Sequence, residues 1–185
     1  MKGHDLEALY ASAIAAVRQC HLDRLVAVGV APDTIARIGR SYPAFGVFNG
    51  VTERGSRFLA GEGPAHVIQP VVDGCELIDL VAWRVGNPAR WGLVNGIGWL
   101  LNADTCLGSR WDAERLALHA TPLDWLRADA VGGVVLDWDA PDLLTFRGFD
   151  RIDCGNDMLA GTLRRALTKP DRLPTIRVAE ARHVA

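Results

Sequence analysis

The sequence lacks the features that most often assign a function directly. It contains no apolar run near the ~20 residues that a membrane-spanning helix needs. It also contains no GxGxxG, GxSxG, HExxH or P-loop motif, which removes the common signatures of nucleotide-binding proteins and hydrolases. Neither sign of charge dominates, because 20 Lys and Arg stand against 22 Asp and Glu. The net charge of −2 therefore neither favours nor excludes a polyanionic partner.

Cysteine is scarce and widely spaced. Cys20, Cys75, Cys106 and Cys154 include no CxxC pair and no Cys/His cluster with the spacing of zinc ligands. We expect four reduced, mostly buried thiols. The first ten residues carry acids in place of the apolar stretch of a secretory signal, so we expect a cytoplasmic protein with no membrane partner.

The composition that is present belongs to a globular chain, with 49% apolar and 23% charged residues among 185. The predicted fold class is α+β, in two lobes that form one compact unit. Residues 1–110 are expected to form an N-terminal helical hairpin with a mixed, mostly antiparallel β unit. Residues 111–179 are expected to form a small parallel α/β lobe, followed by a frayed tail at 180–185.

Helical periodicity dominates the first forty residues. It predicts a helix over residues 5–28, with His21–Asp23 as a point at which this helix divides, and a second short helix over residues 34–38, ended by Gly39. The pair has the outline of a helix-turn-helix. Its second helix is short and offers few polar side chains to a DNA groove, so we favour a packed helical hairpin. Those side chains are Asp33, Thr34 and Arg37.

Short apolar runs between glycines predict an antiparallel β unit. Asp73-Gly74, between two such runs, is the clearest hairpin turn in the chain. The segment from Thr52 to Pro64 is predicted to be a loop, with a short strand at residues 57–60 as an alternative. The predicted strands are residues 45–51, 66–72, 77–84 and 91–94.

The last third of the chain alternates between strand-like and helical patterns. A helix is predicted over residues 113–127, interrupted where Thr121 caps a new turn that begins at Pro122. The apolar run at residues 131–138 predicts a buried strand of the parallel type. The remaining predictions are a short helix at 141–147, strands at 151–154 and 174–178, and a helix at 157–169.

An acidic cluster follows the predicted strand at residues 131–138. Asp137, Asp139 and Asp142 would lie near the carboxyl end of a parallel strand, where open α/β sheets place their ligands. Three carboxylates in this position offer the oxygen ligands that Mg²⁺ prefers, with Asp137 as the first candidate. The plainer interpretation is that Asp139 caps the helix beginning at Pro141 while the other two are solvated, and we favour it.

Tryptophan and arginine alternate in the middle of the chain. Such a mixture forms a stacking surface for single-stranded nucleic acid in many proteins. Strand alternation also places Trp83 and Arg84 on opposite faces, so Trp83 in the core with Arg84 outside is the plainer interpretation. The residues concerned are Trp83, Arg84, Arg90, Trp91, Trp99, Arg110 and Trp111.

Taken in order, these segments resemble the catalytic core of a bacterial-type DNA primase. The helix pair at 22–39, the two strands around Asp73-Gly74, and the toprim-like strands at 133–137 and 151–154 carry the resemblance. Arg84 stands at the strand end where the family has a template-contacting arginine. Arg90, Trp91 and Asn95 are similar to the basic-aromatic-Asn stretch that follows it. The resemblance implies a nucleic-acid interface at Arg84, Arg90, Trp91 and Asn95.

The chain also departs from the primase pattern where the chemistry would lie. Asp137 stands in place of the toprim glutamate, and the later Asp-x-Asp pair and the zinc ribbon have no counterpart. Phosphoryl transfer depends on charge stabilisation by metal ions, so the loss of these carboxylates implies a non-catalytic relative.

Three functions are therefore expected, in order of preference. The first is a non-catalytic, primase-core/toprim-like protein without a cofactor that binds single-stranded nucleic acid or a replication-type protein partner. The second is a Mg²⁺-dependent nucleotidyl-transfer or phosphoester enzyme that uses Asp137, Asp139 and Asp142. The third is a structural or regulatory domain that self-associates through the aromatic residues around Trp91 and Trp99.

Overall fold

The computed structural model describes residues 5–40, 44–53, 56–74, 76–108 and 115–168. The predicted strand at 174–178 and the predicted tail lie outside the described residues, as do Cys75, Arg110 and Trp111. The helices are α1 Leu6–Ala15, α2 Gln19–Ala27, α3 Pro32–Arg40, α4 Ala103–Gly108, α5 Pro122–Arg127, a 3-10 helix at Pro141–Gly148, and α6 Asp157–Thr168. The strands are β1 Gly46–Thr52, β2 Phe58–Asp73, β3 Glu76–Arg84, β4 Asn87–Leu93, β5 Leu100–Leu101, β6 Arg115–Leu118, β7 Val134–Val135 and β8 Arg151–Cys154.

The chain has an α+β fold built on an antiparallel sheet with the strand order β1-β2-β3-β4. The predicted turn at Asp73-Gly74 is confirmed, since Asp73 pairs with Glu76 across the β2–β3 hairpin. Trp83 is fully buried and its indole N–H donates to the Gln69 side chain at 2.7 Å, whereas Arg84 is exposed. The prediction of an inward Trp83 and an outward Arg84 is therefore confirmed.

Strand β2 is much longer than predicted, because the expected loop before Pro64 belongs mostly to it. It begins at Phe58 and pairs with β1 on both sides of a bulge, where the register jumps from Asn49–Ala65 to Gly50–Ala60. The four residues 61–64 (Gly-Glu-Gly-Pro) therefore lie outside the ladder. Gly63 makes this possible, since its φ is +149° and a Cβ there would lie 2.3 Å from the Gly50 carbonyl oxygen.

The N-terminal helices divide at residues 16–18 and not at His21–Asp23. His21 lies in the first turn of α2 and stabilises the start of this helix, since its Nδ1 accepts the Arg18 backbone N–H at 3.1 Å. Helix α3 also passes Gly39 and ends at Arg40, so Gly39 does not end it.

The surface of α3 that a helix-turn-helix would offer to DNA is used inside the molecule. Thr34 is buried and its hydroxyl donates to the Asp129 carboxylate. The Arg37 guanidinium donates to the Asp129 carbonyl oxygen. Because these side chains contact the turn after α5, the structure favours the packed helical hairpin.

Strand pairing in the last third differs from the prediction. Residues 115–118 form β6 and not a helix, and β6 pairs in parallel with β8. The run at 131–138 forms β7, which pairs antiparallel with β5, and Gly133 before it makes one parallel bridge to Leu118 of β6. Gly132 explains the short strand: its φ is +78° and a Cβ would lie 2.3 Å from the Ala117 carbonyl oxygen, so the chain crosses β6 closely before β7 begins.

Two helix predictions for the last third of the chain are confirmed. Thr121 is the N-cap of α5, and its hydroxyl oxygen accepts the Asp124 N–H at 3.1 Å, as the Thr-Pro pair predicts. The predicted helix at 157–169 is confirmed as α6.

One buried cluster joins the N-terminal helices, the antiparallel sheet and the last third of the chain. It includes Leu25, Trp83, Trp125 and Val134. A second cluster packs β6 and α6 around Phe146. No helix within the described ranges is long and apolar enough to cross a bilayer.

The described cysteines lie in three different environments. Cys106 is buried, and burial raises the pKa of its thiol to about 12. Cys154 is half-buried, and burial raises its pKa as well, whereas Cys20 is exposed on α2. The expectation of mostly buried thiols therefore fails at Cys20, and the expectation that they are reduced stays a prediction.

Candidate nucleic-acid interface

Arg84 and Arg90 line one cleft that takes residues from all four strands of the antiparallel sheet. Trp83 pairs with Trp91 across β3 and β4, and strand alternation turns the adjacent Arg84 and Arg90 to the other face. The cleft has a volume of about 290 Å³ and is called the arginine cleft below. Its lining residues are Gly50, Val51, Thr52, Pro64, His66, Arg84, Asn87 and Arg90.

The two arginines carry positive charge that no described carboxylate neutralises. None of the described residues lining the arginine cleft is acidic. Within the described part of the chain, no carboxylate lies at ion-pair distance from Arg84 or Arg90. Arg90 makes only a long contact of 3.5 Å with the Thr52 carbonyl oxygen. Both guanidinium groups are exposed and can donate to an anionic ligand.

His66 forms the floor of the arginine cleft. It is 3% exposed, and its ring packs against Phe58 with the ring centres 5.0 Å apart. Burial and, to a lesser extent, the nearby Arg84 charge lower the pKa of His66, although its contact with the Pro64 carbonyl oxygen acts in the opposite direction. Nδ1 lies 2.8 Å from that carbonyl and must carry the proton, so the neutral ring offers Nε2 as an acceptor.

Trp91 and Asn95 are not brought into the arginine cleft. Trp91 is half-buried against the core, and its indole N–H donates to the Leu136 carbonyl oxygen at 3.3 Å. Asn95 lies in the loop after β4, where its backbone N–H donates to the Asp79 carboxylate at 2.9 Å. Of the four residues predicted for a nucleic-acid interface, the structure therefore places Arg84 and Arg90 together and the other two elsewhere.

The sequence analysis missed Asp79, which organises the loop that contains Asn95. Asp79 is fully buried, and its two carboxylate oxygens accept four backbone N–H groups at 2.7–3.0 Å. Three of these groups belong to the loop after β4. The signal was an acid at an inward position of the apolar strand β3. The donors are Leu80, Asn95, Ile97 and Gly98.

The predicted acidic cluster does not assemble into a metal-ligand set. The Asp137 carboxylate accepts the Asp139 backbone N–H at 2.9 Å. The 3-10 helix that follows has Ala140 as its N-cap and no side-chain cap, so the prediction that Asp139 caps it is wrong. Within the described ranges, no three His, Cys, Asp or Glu side chains gather as metal ligands.

Asp142 lies instead on a different cleft, at the opposite end of the β2–β3 hairpin. This acidic cleft has a volume of about 800 Å³ and is lined by Asp73, Asp104 and Asp142 over an apolar floor that includes Ile78 and Trp99. The Asp104 carboxylate accepts the Gly74 N–H at 2.8 Å and so fixes the hairpin turn. Trp99, named in the self-association hypothesis, is half-buried and packs on Phe146 with the ring centres 5.5 Å apart.

Comparison with known proteins adds no assignment to this geometry. No family model, no curated protein and no solved structure matches the chain.

Proposed function

We propose that the chain binds single-stranded nucleic acid at the arginine cleft, as a non-catalytic protein of the primase-core/toprim-like kind. One observation carries the proposal: Arg84 and Arg90 line a single cleft, and no acidic side chain is among the described residues that line it. The resemblance noted in the sequence supports it, because Arg84 stands where primases have a template-contacting arginine.

The shape and contents of the cleft favour one strand over a duplex. A volume of about 290 Å³ is at the lower limit of small-molecule sites, which suits one nucleotide at a time. Since Trp91 is packed against the core, base stacking on it is not part of the site. Affinity then comes mainly from phosphate contacts, so we expect steep salt dependence and little sequence preference.

The test is fluorescence anisotropy of a labelled single-stranded oligonucleotide, titrated at several salt concentrations. The double variant Arg84→Ala plus Arg90→Ala should lose about tenfold in affinity at low salt, because two phosphate contacts disappear. The slope of log affinity against log salt should fall by about 1.4, or about 0.7 for each lost contact.

The matched control removes the same charge at a distant place. Arg164 and Arg165 are exposed on α6, and Arg164→Ala plus Arg165→Ala should bind within twofold of wild type. Absence of binding by the wild type, or an equal loss in the α6 variant, would contradict the proposal.

A further inference from the structure

Two further clefts adjoin the arginine cleft in turn and include residues of helix α2. A middle cleft of about 80 Å³ shares Pro64, His66 and Arg84 with the arginine cleft and adds Arg24 from α2. An outer cleft of about 530 Å³ shares His21 with the middle cleft and adds the residue that precedes α2, Arg18. The three adjoining clefts are called the groove below.

The α2 side of this groove has the same electrostatic character as the arginine cleft. Arg18 and Arg24 are exposed, and none of the carboxylates that the structure describes lies at ion-pair distance from either. Among the residues that the structure describes, none that lines the middle or the outer cleft is acidic. His21 and Arg24 are three residues apart and therefore neighbours on the surface of α2, and Arg18 precedes the helix and donates its backbone N–H to the His21 ring.

We infer that Arg18 and Arg24 form a second phosphate-binding pair of the same site, so that the ligand is a single strand long enough to run from Arg90 past His66 to Arg18. This inference rests on the proposed function and extends it to a ligand of defined minimum length. A strand that spans both arginine pairs binds them as one linked ligand, so its affinity exceeds that of a short strand.

The experiment compares oligothymidylates of about 4 and about 16 nucleotides, which bracket the site sizes of known single-strand-binding folds. In Arg18→Ala plus Arg24→Ala, the long strand should lose about tenfold in affinity, and its salt slope should fall by about 1.4. The short strand should change by no more than about twofold, because the pair at Arg84 and Arg90 still binds it.

Two further variants control for folding and for general charge. Arg18→Lys plus Arg24→Lys keeps the charge and should keep most of the affinity for the long strand. Arg164→Ala plus Arg165→Ala should leave both lengths within twofold of wild type. Circular dichroism and a thermal melt on each variant establish that α2 is intact.

The outcomes separate this inference from the proposed function. If the α2 variant binds the long strand as wild type does, while the variant at Arg84 and Arg90 weakens both lengths, the inference is overturned and the proposed function stands. Equal losses for both lengths in the α2 variant also overturn it. If wild type binds neither strand, both ideas fail together.

Discussion

The two ends of the β2–β3 hairpin carry opposite charge and use it differently. At one end, Arg84 and Arg90 line a cleft with no acidic residue and have no carboxylate partner among the described residues. At the other end, Asp73, Asp104 and Asp142 line the acidic cleft, and Asp104 bonds the backbone of the hairpin turn. Asp104 at the acidic end thus contributes to the structure of the turn, whereas Arg84 and Arg90 at the basic end form no ion pair with a described carboxylate.

This comparison explains why the net charge is uninformative. A total of −2 conceals a molecule with a positive groove at one end of two strands and a negative cleft at the other. A polyanion approaching at low ionic strength is attracted to one end and repelled from the other, which orients it before contact. Changes at one end of the hairpin therefore test whether the other end is affected.

The largest effect is expected at Asp79, which holds the loop bordering the acidic cleft. Asp79→Ala leaves three loop N–H groups without their acceptor, and hydrogen bonds to charged groups contribute about 1.5–3 kcal/mol each. With partial replacement by water, we expect a loss of about 3 kcal/mol in the free energy of unfolding, measured by urea denaturation.

Asp79→Asn is the matched control for this substitution. It keeps the shape and one accepting oxygen, so its loss should be clearly smaller. Oligonucleotide affinity of the folded variants should stay within twofold of wild type, because the arginine cleft does not include this loop. An Asp79→Ala protein as stable as wild type would show that the loop does not need its buried anion.

A smaller effect is expected from pH at the basic end. The pKa of His66 in the folded protein is lowered from its ordinary value of 6.5, chiefly by burial. As the pH falls below about 6.5, the unfolded chain therefore takes up a proton that the folded ring resists, and stability decreases. The melting temperature of wild type should drop more between pH 7.5 and 5.5 than that of His66→Gln. Equal drops in the two proteins would show that His66 does not contribute to the pH dependence of stability.

Neutralising the acidic end should barely affect binding at the basic end. Asp73→Asn plus Asp142→Asn removes two negative charges from the acidic cleft. Affinity for a single strand should rise by no more than about twofold at low salt and be unchanged near 0.15 M salt, where charges are screened beyond about 8 Å. A large gain at both salt concentrations, measured by anisotropy, would mean that the acidic cleft competes for the same ligand.

The smallest effect is expected from divalent cations. Because Asp137, Asp139 and Asp142 do not gather as ligands, millimolar Mg²⁺ or Mn²⁺ should move the melting temperature by less than about 1 °C. A metal-dependent rise that Asp137→Asn abolishes would instead support the metal-dependent enzyme considered in the sequence analysis.

Local patterns predicted the parts of the fold that local physics determines. The turn at Asp73-Gly74, the Thr121 cap and the opposite orientations of Trp83 and Arg84 each depend on a few adjacent residues. Pairings between distant segments were missed. The β6–β8 pair joins residues 36 positions apart, so the helical spacing at 113–127 gave no sign of it.

The same difference between local and long-range contacts applies to the candidate site. Strand alternation could predict that Arg84 faces outward. It could not predict that Trp91 lies outside the arginine cleft, because the indole N–H of Trp91 donates to Leu136, which is 45 residues away in the sequence. That α2 lines the groove could not be predicted from the sequence, for a similar reason. Nothing in residues 18–24 indicates that this helix lines clefts with the bulged part of β2, because that placement depends on packing between elements.

The bulge at residues 61–64 has an architectural consequence. Ala65 faces Asn49 and Ala60 faces Gly50, so excising the four intervening residues would join two halves of a ladder already in step. Yet Gly61 lines the outer cleft and Pro64 lines the other two. Residues 61–64, which supply part of one wall of the groove, are thus an insertion in β2. Without these four residues, β1 and β2 would pair in one continuous register.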